Sequence, residues 1–159
     1  MPYGTSPGSA TVVVSAGLQD SLPFTVQVQQ SAPAIFTHNG NQAIAQDLPS
    51  LALNGPNAPA TSGSAITVYV VGLGATSPVL ADGAATPTSP YTTPIQTVTA
   101  NIGGQSARVL FAGLTPQAVG LGQVNVVVPQ GLAAGTYPLI ITVGSQASSP
   151  AMLSIGVAH

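Results

Sequence analysis

The chain of 159 residues contains no cysteine, no lysine and no glutamate. Without cysteine there is neither a disulfide framework nor a thiolate metal site. Without lysine, the Lys–Asn and Lys–Asp isopeptide cross-links of some surface fibres are excluded. The ionised side chains are Asp20, Asp47, Asp82 and Arg108, and charged residues make up 3% of the sequence, against roughly 25% in an ordinary soluble domain. One arginine cannot displace the counterions of a phosphate backbone, so no nucleic-acid partner is expected. A surface helix needs Lys and Glu to solvate its outer face, and they are missing. The longest apolar stretch, Ala65 to Ala75, is too short and too glycine-rich to cross a bilayer as a helix, so no membrane insertion is expected. Disorder is also disfavoured, because a net charge of −2 with 45% hydrophobic residues leaves enough apolar side chain to build a core. What remains is an all-β domain whose outer face is made of Ser, Thr, Asn and Gln.

Strand signals recur along the chain with turn signals between them. Thr11 to Ser15 is a β-branched run, and Leu22 to Val28 alternates apolar and polar at period two. Ile35 to Thr37 and Gln42 to Gln46 read as short strands, and Asn54 to Pro59 as a loop. Ala65 to Val71 is the strongest strand. A proline-rich loop from Gly74 to Pro94 follows, then strands at Ile95–Asn101, Ala107–Phe111, Gln123–Val128, Tyr137–Val143 and Met152–Val157. One helical turn fits near Thr115 to Ala118. Many short strands at fairly regular spacing argue a Greek-key sandwich of about seven to nine strands.

An internal repeat runs at a constant offset of 127 residues. Pro2, Gly4 and Gly8 match Pro129, Gly131 and Gly135. Gly17, Gln19, Ser21 and Pro23 match Gly144, Gln146, Ser148 and Pro150. Val12 to Val14 fall on Leu139 to Ile141, and Val26 and Val28 on Leu153 and Ile155, with no gap. Residues 1–30 therefore read as the last β-hairpin of a preceding sandwich unit, and residues 33–159 as a whole unit. Burying Leu22, Phe24, Val26 and Val28 from one face is worth about 6–12 kcal/mol gross. A lone hairpin is marginal in water, so it should lie on its own domain or on a neighbouring chain. Strand addition offers the second route, helped by a near absence of the charges that usually guard sheet edges. Val12, Val14, Leu22, Phe24, Val26 and Val28 are the candidate self-association residues. The expected partners are copies of the chain itself or neighbouring repeats.

Several motifs together carry a family resemblance. They are Ser31-Ala32-Pro33-Ala34-Ile35-Phe36-Thr37, then Ile66-Thr67-Val68-Tyr69 with Gly72 to Pro78, and Ala81-Asp82-Gly83. Ile102-Gly103-Gly104-Gln105, Val109 to Leu114, Gln123 to Pro129 and Ile141 to Gly144 continue them. The chain resembles the uncharacterised C-terminal β-sandwich domain of large secreted Solibacter-type acidobacterial proteins, and Pro2 to Val28 resembles the end of the unit that precedes such domains. The resemblance implies an extracellular, immunoglobulin-like sandwich, with no known activity and no catalytic residue to carry over. Leu48 to Ala60 departs from the family pattern.

The chemistry-bearing motifs are sparse. Gly72-x-Gly74 lacks the third glycine and the helix that a dinucleotide loop needs, and reads as a strand-ending turn. No Gly-x-Ser-x-Gly elbow exists, and His38 in His38-Asn39-Gly40 reads as a solvated turn histidine. The three aspartates fall on separate turns, which argues against paired-carboxylate catalysis. Asp82-Gly83 and Asp20-Ser21 read as turn caps rather than calcium ligands. Arg108 is expected to pair with Asp82 or Asp47, or to cover apolar surface with its stem. Thr86 to Pro94 could carry O-linked sugar, though an ordered surface loop is the plainer reading. No catalytic residue, metal or cofactor is expected. Met1-Pro2-Tyr3-Gly4 has neither the basic nor the apolar region of a signal peptide, yet the Ser, Thr and Pro richness suits a secreted protein. The expected function is a non-enzymatic extracellular stalk or fibre module that stacks head to tail through its N-terminal hairpin. The alternative is a carbohydrate- or surface-binding accessory domain that uses Tyr91 and the Gly74–Pro94 loop.

Overall fold

The computed structural model describes residues 4–48 and 50–156; Pro2 of the repeat, the end of the Met152–Val157 strand and His159 lie outside the described residues. It is all-β, with no helix among the described residues. The first four strands, β1 (Gly8–Val12), β2 (Ser15–Ala16), β3 (Gln19–Asp20) and β4 (Phe24–Val28), form an N-terminal hairpin. Four short strands follow, β5 (Ala34–Ile35), β6 (Thr37–His38), β7 (Gln42–Ala43) and β8 (Ala45–Leu48). Next come β9 (Ala60–Thr61), β10 (Ala65–Val71), β11 (Thr76–Ser77), β12 (Thr93–Pro94) and β13 (Val98–Ile102). The last five are β14 (Gln105–Leu114), β15 (Gly122–Val127), β16 (Gly135–Val143), β17 (Gln146–Ala147) and β18 (Ala151–Gly156).

Two sheets pack together over one core. In the first, β15 lies between β10 and the C-terminal part of β14, and β10 carries β5 and β8 on its other edge. In the second, β16 lies between β13 and β18, and β18 takes β7 and β9 in parallel. Strand β14 belongs to both sheets. Ala107 pairs with Ala100 of β13, Arg108 pairs with Val127 of β15, and the register then shifts between Val109 and Phe111. The extra residue, Leu110, makes a bulge, and bulges bend and twist a strand. Neither sheet therefore ends at β14. On the opposite side the sheets end in strands of only two to four residues, one of the ways proteins blunt an open edge.

The core follows from period-two alternation. Ile66, Val68 and Val70 of β10 meet Val124 and Val126 of β15, and Leu139, Ile141 and Val143 of β16 meet Leu153 and Ile155 of β18, all buried in one cluster. The outer faces are satisfied by neutral pairs instead of ions. Thr67 Oγ1 donates to Asn125 Oδ1 across the β10–β15 ladder at 2.9 Å, and Tyr69 Oη donates to Gln46 Oε1 at 2.7 Å.

Several sequence expectations need correcting in detail. Thr11 to Ser15 is divided between the end of β1 and the start of β2, with Val13 and Val14 outside both. Thr115 to Ala118 is not helical: it is a tight turn with Gln117 at φ 64°, and Ala118 N–H donates to Thr115 O at 3.2 Å. His38 is not in the turn. It lies in β6, half-buried, and the Asn39-Gly40 turn follows it.

Candidate self-association surface

The N-terminal hairpin is built by local rules. Gly17 at φ 62° opens a two-residue loop between β2 and β3, a place where a hairpin favours a glycine. Ser21 reinforces the turn: its N–H donates to Val14 O at 2.9 Å, and its Oγ accepts the Val14 N–H at 3.0 Å. Below the turn, β1 and β4 pair from Val12↔Phe24 to Gly8↔Val28.

The C-terminal hairpin repeats this ladder, turn and serine bridge at the same offset as the sequence repeat. Gly144 at φ 59° opens the loop between β16 and β17. Ser148 N–H donates to Ile141 O at 2.8 Å, and Ser148 Oγ accepts the Ile141 N–H at 3.1 Å. Strands β16 and β18 pair from Leu139↔Ala151 to Gly135↔Ile155, the register of β1 and β4 moved along the chain. Pairing, turn and serine bridge are all duplicated.

Burial is not duplicated. Ile141 is 0% exposed and its counterpart Val14 is 64% exposed. Ala151 is 2% exposed and its counterpart Phe24 is 70% exposed. Val26 and Val28 are half-buried, and neither joins the core cluster that holds their counterparts Leu153 and Ile155. Val12, paired with Phe24, is also exposed. Leu22 stands apart: it precedes β4, it is exposed, and its counterpart Ser149 is exposed too. Strands β1 and β4 pair only with each other among the described residues, so each leaves an outer edge free.

The base of the hairpin is anchored while its tip projects. A cleft of about 1010 Å³ runs between Val26 and Val28 on one side and Val71, Leu73, Ile95 and Leu114 on the other. Asp82 is not a local turn cap: its Oδ1 accepts the Gly4 N–H at 2.8 Å and ties the chain ahead of β1 to the proline-rich loop. The linker after β4 is held by Ser31 Oγ, which donates to Val143 O at 3.0 Å, and by Ala32 N–H, which donates to Gly72 O at 3.0 Å. Gly72 permits this crossing. It sits at φ 75°, and a Cβ there would lie 1.8 Å from Ala32 O. The Gly72-x-Gly74 motif is thus the seat of the linker.

The other singled-out residues are dispersed. Asp47 Oδ2 accepts the Ser50 hydroxyl at 2.9 Å, and Arg108 is exposed on β14. Asp20 lies in β3 at the hairpin tip. No group of three His, Cys, Asp or Glu side chains is placed to hold a metal ion among the described residues. Tyr91 is exposed and meets Phe111 edge-on, with ring centroids 5.6 Å apart and planes at 68°. That angle offers a sugar no shared flat face. No helix among the described residues is long and apolar enough to cross a membrane.

Sequence reading passed over Asn54. It is buried in what read as a plain loop, and it acts as a side-chain stand-in for a strand. Its Nδ2 donates to Ser154 O at 2.9 Å, and its Oδ1 accepts both the Ser154 N–H at 2.9 Å and Gln42 Nε2 at 2.7 Å. The Asn54-Gly55-Pro56 run signals a turn, and no spacing marks the distant β18 as its partner. Compared with models of known families, with curated proteins and with solved structures, the chain finds no match.

Proposed function

We propose that the chain is a non-enzymatic structural module of an extracellular protein, an immunoglobulin-like stalk or fibre unit joined head to tail to neighbouring units through its N-terminal hairpin. One observation carries this reading: the hairpin duplicates the C-terminal hairpin in register and turn, yet where that hairpin buries Leu139, Ile141 and Ala151 it leaves Val12, Val14 and Phe24 exposed to water. Covering that face is favourable at about 25 cal/mol per Å² of apolar surface removed from solvent. Asp20 is the only charge on the hairpin, so charge repulsion does little to oppose an approaching strand. The Solibacter-type resemblance agrees with a secreted, repeat-built setting and supplies no activity.

The test is concentration-dependent association of the full chain, followed by light scattering after size exclusion. Wild type should gain mass as concentration rises. Val14→Asp, which places a charge on the exposed hairpin face, should remain monomeric with an unchanged melting temperature. Equal association by both proteins would remove the hairpin from the proposal.

A further inference from the structure

We infer that the hairpin Gly8–Val28 is a donor: it completes a second β-sandwich of the same plan whose own final-hairpin slot is open, and not the filled slot of a second intact copy. The inference rests on the reading above and names its partner. In this chain the slot is occupied by β16 and β18, whose inward Leu139, Ile141, Val143, Ala151, Leu153 and Ile155 are buried, with Tyr137 partly buried beside them. The outer edge of β16 pairs with β13, as Val98↔Val143, Asn101↔Ile140 and Ile102↔Leu139. Carried over by the repeat, that register sets a strand of the acceptor against the free edge of β1. The position of Ile102 then meets Val12, that of Asn101 meets Val13, and that of Ala100 meets Val14.

Side-chain sizes say more about the acceptor. Six inward positions of the donor are smaller than their counterparts, namely Val12 for Leu139, Val14 for Ile141, Val26 for Leu153, Val28 for Ile155, Ala10 for Tyr137 and Ala16 for Val143. One is much larger, Phe24 for the buried Ala151. Cores tolerate overfilling poorly. The natural acceptor is therefore a different sandwich, roomier opposite Phe24 and tighter opposite the four valines and two alanines. This chain's own slot is an imperfect substitute that the same experiment can exploit.

The chain has no cysteine, so engineered pairs report register without background. The acceptor is full-length chain carrying Ile141→Asp, which unseats its own final hairpin, together with Asn101→Cys. The donor is full-length chain carrying Val13→Cys. Native mass spectrometry should find a 1:1 complex about a hundredfold tighter than that between intact copies, because a competitor at roughly millimolar effective concentration has been removed. Under oxidising conditions the Val13→Cys and Asn101→Cys chains should join, whereas a Ser9→Cys donor, four residues out of register, should not.

The decisive arm is Phe24→Ala in the donor. Matching Ala151 in this slot, it should bind about tenfold tighter than the unaltered donor, because overfilling is relieved. A merely sticky apolar face would bind more weakly after the same change. If the Ile141→Asp chain does not fold alone, added donor should restore its resistance to protease, and failure to do so overturns the inference. Weaker binding by Phe24→Ala, or absence of the in-register disulfide, also overturns it. In that outcome loss of association in Val14→Asp still upholds the head-to-tail reading. If Val14→Asp changes neither self-association of the intact chain nor binding of the donor to the Ile141→Asp acceptor, both fall.

Discussion

The two hairpins of this molecule, Gly8–Val28 and Gly135–Ile155, share register, turn glycine and serine bridge. They differ in what lies across from them. The C-terminal hairpin has β13 on one edge, β7 and β9 on the other, and the opposite sheet over its face. The N-terminal hairpin has a cleft at its base and solvent at its tip. The shared features are local, set by residues within a few positions of one another. Burial is a property of the receiver. Comparing the two separates what a hairpin's own sequence supplies from what a fold adds to it.

Matched substitutions can break that comparison. The largest expected contrast is at Ile141 and Val14. Ile141→Ala empties a fully buried site and should cost about 2–5 kcal/mol in urea denaturation. Val14→Ala should stay within about 0.5 kcal/mol for the isolated chain. A smaller contrast is expected at the serine bridge. Ser148→Ala leaves the Ile141 N–H without its side-chain acceptor in a buried site, for about 1–3 kcal/mol. Ser21→Ala, in an exposed turn, should leave global stability unchanged within about 0.5 kcal/mol and be visible only as faster amide exchange at Val14. Equal losses at the two serines would mean that the N-terminal hairpin unfolds with the body as one unit. The smallest effect is expected for Asp82→Ala, about 0.5 kcal/mol or less, read as faster exchange of the Gly4 amide with the melting temperature unmoved.

Much of the architecture was legible in the sequence because its signals are periodic. Val124, Val126 and Val128 alternate with Gln123, Asn125 and Val127, and strand β15 follows directly. The repeat was legible because glycines, serines and prolines recur without a gap, and the structure adds that the hydrogen bonds recur with them. The path of β14 was not legible. Val109-Leu110-Phe111 is an unbroken apolar run, and nothing in it says that Leu110 is the residue squeezed out of register. The segment from Ala34 to Leu48 is divided into four short strands that change sheets, each too short to carry a pattern. His38 was misplaced because its neighbours Asn39-Gly40 are strong turn formers; Asp82 does lie in the turn with Gly83, but its carboxylate binds Gly4 and not the local backbone. In both cases the glycine makes the turn, after a His38 that already belongs to β6 and beside an Asp82 whose carboxylate reaches Gly4. For the candidate surface, the sequence marked the apolar residues, but only the paired register separates Phe24, Val26 and Val28 from Leu22.

The sharing of β14 between the sheets bears on how copies could accumulate. Among the described residues the sandwich body ends in edge strands of two to four residues, which give another chain little to template sideways. Under the head-to-tail proposal, growth would be confined to the end that carries the projecting arm, and would yield a thread with a direction instead of a mat. On the proposed reading, a protein with hardly any charge to keep its copies apart would limit its valency by geometry.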